Sequence, residues 1–233
     1  MDIEAKKGAS LPSRSTSRFA RLALLVGLLL AVILIVDRRK AAYRSQVHVE
    51  RGLAHFEKRA YDDAVAEYDE ALRLNSKSYE AYYERGRAYL KSKQLDRALA
   101  DLDKAVSFKP DFDEAHVLRG VVHLEANRFV EAITDFDRAV ALNPNFAEAY
   151  FNRGMAWMRQ QSYERGLADI KKGLSLKPDE ANGHYLKGMA CEGMRQFKEA
   201  TAAYEKFLEL APTNLSQQIE EARQRIQELQ RSR

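Results

Sequence analysis

A single cysteine, Cys191, stands in 233 residues, so the chain forms no internal disulfide and offers no Cys-x-x-Cys pair to a zinc ion. No G-x-G-x-x-G, P-loop, H-E-x-x-H or G-x-S-x-G occurs, which removes the usual signatures of dinucleotide, nucleotide, zinc-protease and serine-hydrolase chemistry. Neighbouring carboxylates such as Asp101 and Asp103 lie on helical patterns with no apolar pocket to shift them. No enzyme, cofactor or small-molecule substrate is expected. A concentrated basic face is also missing from the body of the chain. Of the net +4, residues 1–44 hold nine Lys/Arg against three Asp/Glu, leaving 29 against 31 in residues 45–233, so no nucleic-acid partner is expected. Long apolar runs are absent but for one near the N-terminus. Glycine and proline are scarce, at eleven and five, and their positions are ordered.

Gly52, Gly86, Gly120, Gly154 and Gly188 are spaced by 34 residues, and Pro110, Pro144, Pro178 and Pro212 keep the same period. So do Ala64, Ala98, Ala132, Gly166 and Ala200, and the bulky series Tyr68, Leu102, Phe136, Ile170 and Tyr204. Three short words show the echo directly: EAYYERGRAY at 80–89, EAHVLRGVVH at 114–123 and EAYFNRGMAW at 148–157. Between the marks, apolar residues recur at helical spacing. Two small residues per unit allow two helices to approach closely, and proline stops the second helix. One such hairpin cannot bury its apolar face alone; stacked copies can.

This pattern resembles the tetratricopeptide repeat, a 34-residue helix–turn–helix unit. The resemblance covers residues 45–214 as five units: 45–78, 79–112, 113–146, 147–180 and 181–214. It implies an all-α, right-handed α-solenoid. Residues 215–233 follow as a cap helix and tail, with Leu215, Ile219, Ala222, Ile226 and Leu229 on one face and charges on the other.

Residues 1–18 form a Ser-, Lys- and Arg-rich tail expected to be flexible. Residues 19–36, FARLALLVGLLLAVILIV, read as a single transmembrane anchor, and 37–44 as a basic juxtamembrane linker. No small-x-small site follows the run, which argues against a cleaved signal peptide. Basic residues flank it almost equally, so its orientation stays open.

Within the units, histidines occupy positions the family fills with aromatic rings: His48, His116 and His184 at position 4, His55 and His123 at position 11. They are expected to pack as flat rings and to hold no metal. Arg51, Arg85, Arg119, Arg153 and Lys187 recur at position 7, and Glu67, Asp101, Asp135 and Asp169 at position 23, with Ala203 in the fifth unit. A ladder of Arg–carboxylate pairs is expected, weakest at its last rung. The alternative is that position 7 reaches into water.

The family presents a concave groove lined by first helices. Carried over by position, the candidate groove residues are Val49, Tyr83, Val117, Phe151 and Tyr185 at position 5; Arg87, Val121, Met155 and Met189 at position 9; Met158 at position 12; and Asn152 at position 6. The carboxylate clamp of chaperone-binding members is missing, since no unit has Lys at 5 or Asn at 9. An apolar, Met-bearing wall suits an amphipathic or extended protein segment, and Glu80, Glu114 and Glu148 at position 2 favour basic flanks on it. The expected function is a membrane-tethered scaffold that binds a protein or peptide partner in its groove for complex assembly. Two alternatives stay open: an organelle protein-import receptor reading presequence-like helices, and a self-associating structural protein, a homo-oligomer.

Overall fold

Each 34-residue unit folds as two antiparallel helices because its apolar residues fall on one stripe of each helix, and the turn between them is too short for any other path. The computed structural model describes residues 14–231, with side chains from residue 24. The first helices of the five units are the C-terminal part of α1 (Arg14–Glu57), then α3 (Tyr79–Lys91), α5 (Asp113–Glu125), α7 (Ala147–Arg159) and α9 (Ala181–Gly193). The second helices are α2 (Tyr61–Leu74), α4 (Leu95–Phe108), α6 (Phe129–Leu142), α8 (Tyr163–Leu176) and α10 (Phe197–Leu210). A short 3-10 turn, Thr213–Leu215, leads into α11 (Ser216–Arg231), which packs on α10 as the expected cap. Each helix packs mainly on its neighbours in sequence, the geometry of an all-α solenoid.

The reading of residues 19–36 as a membrane anchor requires correction. Among the described residues no helix is long and apolar enough to cross a membrane. The single-pass localisation, with its membrane partner, is withdrawn. The supposed linker 37–44 is helical, and α1 runs unbroken through it into the first unit. Of the N-terminal tail, residues 1–13 lie outside the described residues, and Arg14–Arg18 begin α1.

The glycine at position 8 sets the distance between the two helices of a unit. A Cβ built on Gly120 would lie 2.6 Å from the Phe136 ring, and one on Gly154 would lie 2.9 Å from both the Gly166 carbonyl oxygen and Ile170 Cγ1. The residue at position 24 therefore lies against bare backbone, and Tyr68, Leu102, Phe136, Ile170 and Tyr204 are all fully buried. Proline is not what stops the second helix. In the first unit Ser76 replaces it, and α2 ends at the same register as α4, α6, α8 and α10.

The ladder at position 7 is present and wider than expected. Arg85, Arg119 and Arg153 each grip the position-23 aspartate of their own unit, with Arg153 Nε and Nη2 at 2.8 and 2.7 Å from the two Asp169 oxygens. Each also reaches back through Nη1 to an aspartate at position 25 of the preceding unit: Asp69, Asp103 and Asp137. One guanidinium thus joins three helices. The inner carboxylates are buried and the outer ones exposed. At Asp135, burial pushes the carboxyl up, but the His116 imidazole 3.6 Å away and the hydrogen bonds from Arg119 outweigh it and hold the group below its usual range.

At both ends the ladder departs from the pattern. Arg51 is exposed, and Glu67 accepts from His48 Nδ1 at 2.6 Å instead. At the last boundary Lys187 stands at position 7, with Lys171 at position 25 of unit four and Ala203 at position 23 of unit five, so no rung forms. The apolar core compensates there. Ile170, Leu186, Tyr204, Phe207, Ala222 and Leu229 belong to one continuous buried cluster running from unit four through unit five into the cap.

The turn between first and second helices hides a further regularity. Arg59, Lys93, Asn127, Gln161 and Arg195, all at position 15, have φ between 57° and 61°. The following residue donates its N–H back five residues, as Ala60 does to His55 at 3.0 Å and Gln196 to Cys191 at 2.9 Å, which closes the helix C-terminus. Four of the five positions carry a residue disfavoured in the left-handed region.

Three outcomes are expected from urea unfolding. Gly154→Ala lowers stability by about 1–3 kcal/mol through overpacking, while Gly27→Ala, with nothing within 4 Å, leaves the midpoint in place. Asp135→Ala costs about 1–3 kcal/mol because the half-buried Arg119 keeps only the exposed Asp103 as its partner, and the exposed Asp137→Ala costs less than about 1 kcal/mol. Because the folded pKa of Asp135 is depressed, its contribution is present above the unfolded value of about 4 and is lost as pH falls below it. Asp135→Asn should flatten the acid limb of a stability–pH curve. Arg195→Gly raises stability by about 0.5–1 kcal/mol, and a lower midpoint would show that the Arg195 side chain compensates for its backbone strain.

Candidate functional site

The first helices line the concave side, and their position-9 and position-12 side chains decide whether that side is filled or open. In the first two units it is filled. The Arg87 guanidinium lies 4.1 Å over the Phe56 ring and pairs with Glu84 at 2.8 Å, while the Tyr83 ring packs 4.9 Å from Phe112. Burial raises the Glu84 carboxyl above its ordinary range, with Arg87 opposing the rise.

The C-terminal units are different. Between α7, α9 and α11 lies an open cavity of about 600 Å³, with Met155, Met158, Tyr185, Leu186 and Met189 as its apolar wall and Arg159, Glu192 and Arg225 as charged groups. Its existence follows from small residues. Position 13 is Glu57, Lys91, Glu125 and Arg159 in the first four units but Gly193 in the fifth, where a Cβ would strike the Tyr163 ring. Met189 is exposed at 41%, and Met155 is half-buried.

The cap supplies the remaining wall. Tyr185 donates its O–H to Glu221 at 2.8 Å, and Arg225 lies 3.5 Å from Glu192, which also accepts the Tyr204 O–H at 2.9 Å. Burial, then the bond to Glu221, push the Tyr185 phenol up to about 12, so it stays a donor through the neutral range. The Glu221 carboxyl is held below its usual value by the same bond.

Of the eleven candidate residues, the structure brings Met155, Met158, Tyr185 and Met189 together at the cavity. Val49, Val117 and Phe151 are buried at 3%, 9% and 5% and belong to the core. Phe151 is drawn inward because Gly173 and Gly183 leave room for its ring. Val121 packs against core clusters, and Asn152 is half-buried away from the cavity. Arg159, Tyr163, Leu186, Gln218 and Arg225 were not among the candidates. Arg159 and Leu186 sit at positions 13 and 6, which the groove register includes; Tyr163 is the first residue of α8, and Gln218 and Arg225 belong to the cap, where that register does not reach.

The histidines do more than pack. His116 and His184 place Nε2 at 3.1 and 2.8 Å from the carbonyls of Pro110 and Pro178, tying first helices to the preceding turn. Burial pushes the His123 imidazole down and the Cys191 thiol up, so each favours its neutral form. Among the described residues, no group of three or more His, Cys, Asp or Glu is placed to hold a metal.

Comparison with known proteins agrees with this architecture. The tetratricopeptide repeat model matches residues 49–112, 94–145 and 117–181, and a second model of the same repeat matches 181–214. No curated protein sequence matches the chain. The structure of MamA from Desulfovibrio magneticus RS-1 is similar, with 23% identity over 72% of this chain and 94% of that one and a TM-score of 0.65. So is a thermophilic TPR protein from Thermus thermophilus, with 22% identity over 79% and 98% and a TM-score of 0.64. YrrB, described as a TPR protein with an unusual peptide-binding site, shares 23% identity over 71% and 85% with a TM-score of 0.58. At these identities the likeness speaks for the fold. With models of this repeat together matching residues 49–214, the chain belongs to the tetratricopeptide repeat family.

Proposed function

We propose that this chain is a scaffold that holds a protein partner by an apolar or amphipathic segment seated in the cavity at the C-terminal end of its concave face, in support of complex assembly. The observation that carries this reading is the open apolar cavity itself. Met189 is exposed and Met155 and Tyr185 half-buried along a recess of a size that takes one or two bulky side chains, with the buried Met158 as its floor, while in the first two units Arg87 and Tyr83 are packed on the Phe56 and Phe112 rings. Flexible methionine side chains suit a surface that must mould to an incoming segment. The likeness to YrrB supports a peptide as ligand class. The import-receptor alternative required an anchored chain and goes with the anchor.

Peptides of about twelve residues selected from a random display library on the full chain test this. Expected is a set of binders whose affinity falls about tenfold or more in the Met155→Glu, Met189→Glu double variant, because a charge then occupies the apolar wall. Helical content of the variant is checked in parallel. Binders that hold the variant equally well would move the function off this cavity, to another face or to association between copies.

A further inference from the structure

The geometry points to an acidic segment as the occupant of this cavity: a peptide carrying an Asp or Glu carboxylate next to a bulky apolar side chain, the carboxylate meeting Arg159 and the apolar group meeting the methionine wall. This deepens the groove reading above and rests on it.

The charge inventory of the trough carries the assignment. Arg159 lines the main cavity and also a smaller one of about 200 Å³ beside Leu124, Glu125 and Asn127, with Met155 shared between the two. Arg159 therefore borders both recesses. Every acid around it already has a donor. Glu125 pairs with Lys93 at 2.9 Å, Glu192 takes Tyr204 and Arg225, and Glu221 takes Tyr185. Arg225 is shared between Glu192 and Glu228. Arg159, by contrast, is exposed and makes no ion pair among the described residues. It differs in this from Arg85, Arg119 and Arg153, each held between two aspartates.

An unpaired guanidinium offers donors in a planar fork that matches a carboxylate. In open water that pairing is weak, but docking an apolar group on Met155 and Met189 expels water beside it and strengthens the contact. A basic flank would instead meet Arg159 with like charge. The acids at position 2, which suggested basic flanks from sequence, do not reverse this. Glu148 is paired with Lys177, Glu80 accepts from Tyr79, and none of Glu80, Glu114 and Glu148 lines the cavity.

The experiment is the same display selection on the full chain, with the Met155→Glu, Met189→Glu variant as counter-target so that only cavity-dependent binders are kept. Expected is enrichment of Asp or Glu beside Phe, Leu, Ile or Met. Synthetic copies of the binders should lose about tenfold in affinity with Arg159→Gln, and selection on Arg159→Glu should turn the enrichment to Lys and Arg. Cavity-dependent binders without acidic enrichment, or indifferent to Arg159→Gln, overturn the acidic assignment and leave the groove standing. If no cavity-dependent binder emerges at all, the groove reading falls and takes the acidic occupant with it.

Discussion

A bulky apolar side chain lying against bare backbone is the contact on which this solenoid depends. In each unit the side chain at position 24 occupies the space a Cβ at position 8 would need, so the two helices pack at a distance only glycine permits. Everything else follows from that spacing. The small residues at position 20 become fully buried, the first helices align on the concave side, and each hairpin presents an apolar face that the next must cover. The five repeats of this contact explain why the period survives wide variation at other positions.

Two different forces then join one unit to the next. Up to unit four the join is partly electrostatic, through a guanidinium that belongs to two units at once. At the last boundary it is apolar, through a cluster that also absorbs the cap. A buried ion pair is weak as a source of net stability, but it punishes misalignment, because a shifted register leaves a charge without its partner. An apolar cluster tolerates shifts better. The open cavity lies on the side of the array where register rests on apolar packing and the His184–Pro178 hydrogen bond, without an ion pair across the boundary among the described residues.

Much of this was legible in the sequence because the information is repeated. Gly52 to Gly188 and Tyr68 to Tyr204 announce the unit five times over, and the inner half of the ladder was readable from the separation of Arg119 and Asp135. The outer half was equally periodic in Asp69, Asp103 and Asp137, but only the structure shows that Arg reaches back one unit as well as forward. The left-handed turn at position 15 carries no glycine to betray it. The groove was the least legible part. Register placed Phe151 with Tyr185, yet glycines on neighbouring helices pull one into the core and leave the other at the cavity. The apolar run near the N-terminus misled: among the described residues no helix is long and apolar enough to cross a membrane.

The shared guanidiniums also bear on how such an array can be rearranged by recombination. Excising unit two or three removes an arginine from one neighbour's aspartate and an aspartate from another neighbour's arginine, so the joint is sound only if the incoming unit brings the same two charges. Between units four and five no ion pair crosses among the described residues. A module of unit five plus cap is therefore the interchangeable end of this protein, needing from its replacement only an apolar face of similar shape. That module carries Tyr185, Met189 and Arg225, so exchange at this seam would give a new specificity to an otherwise unchanged rod.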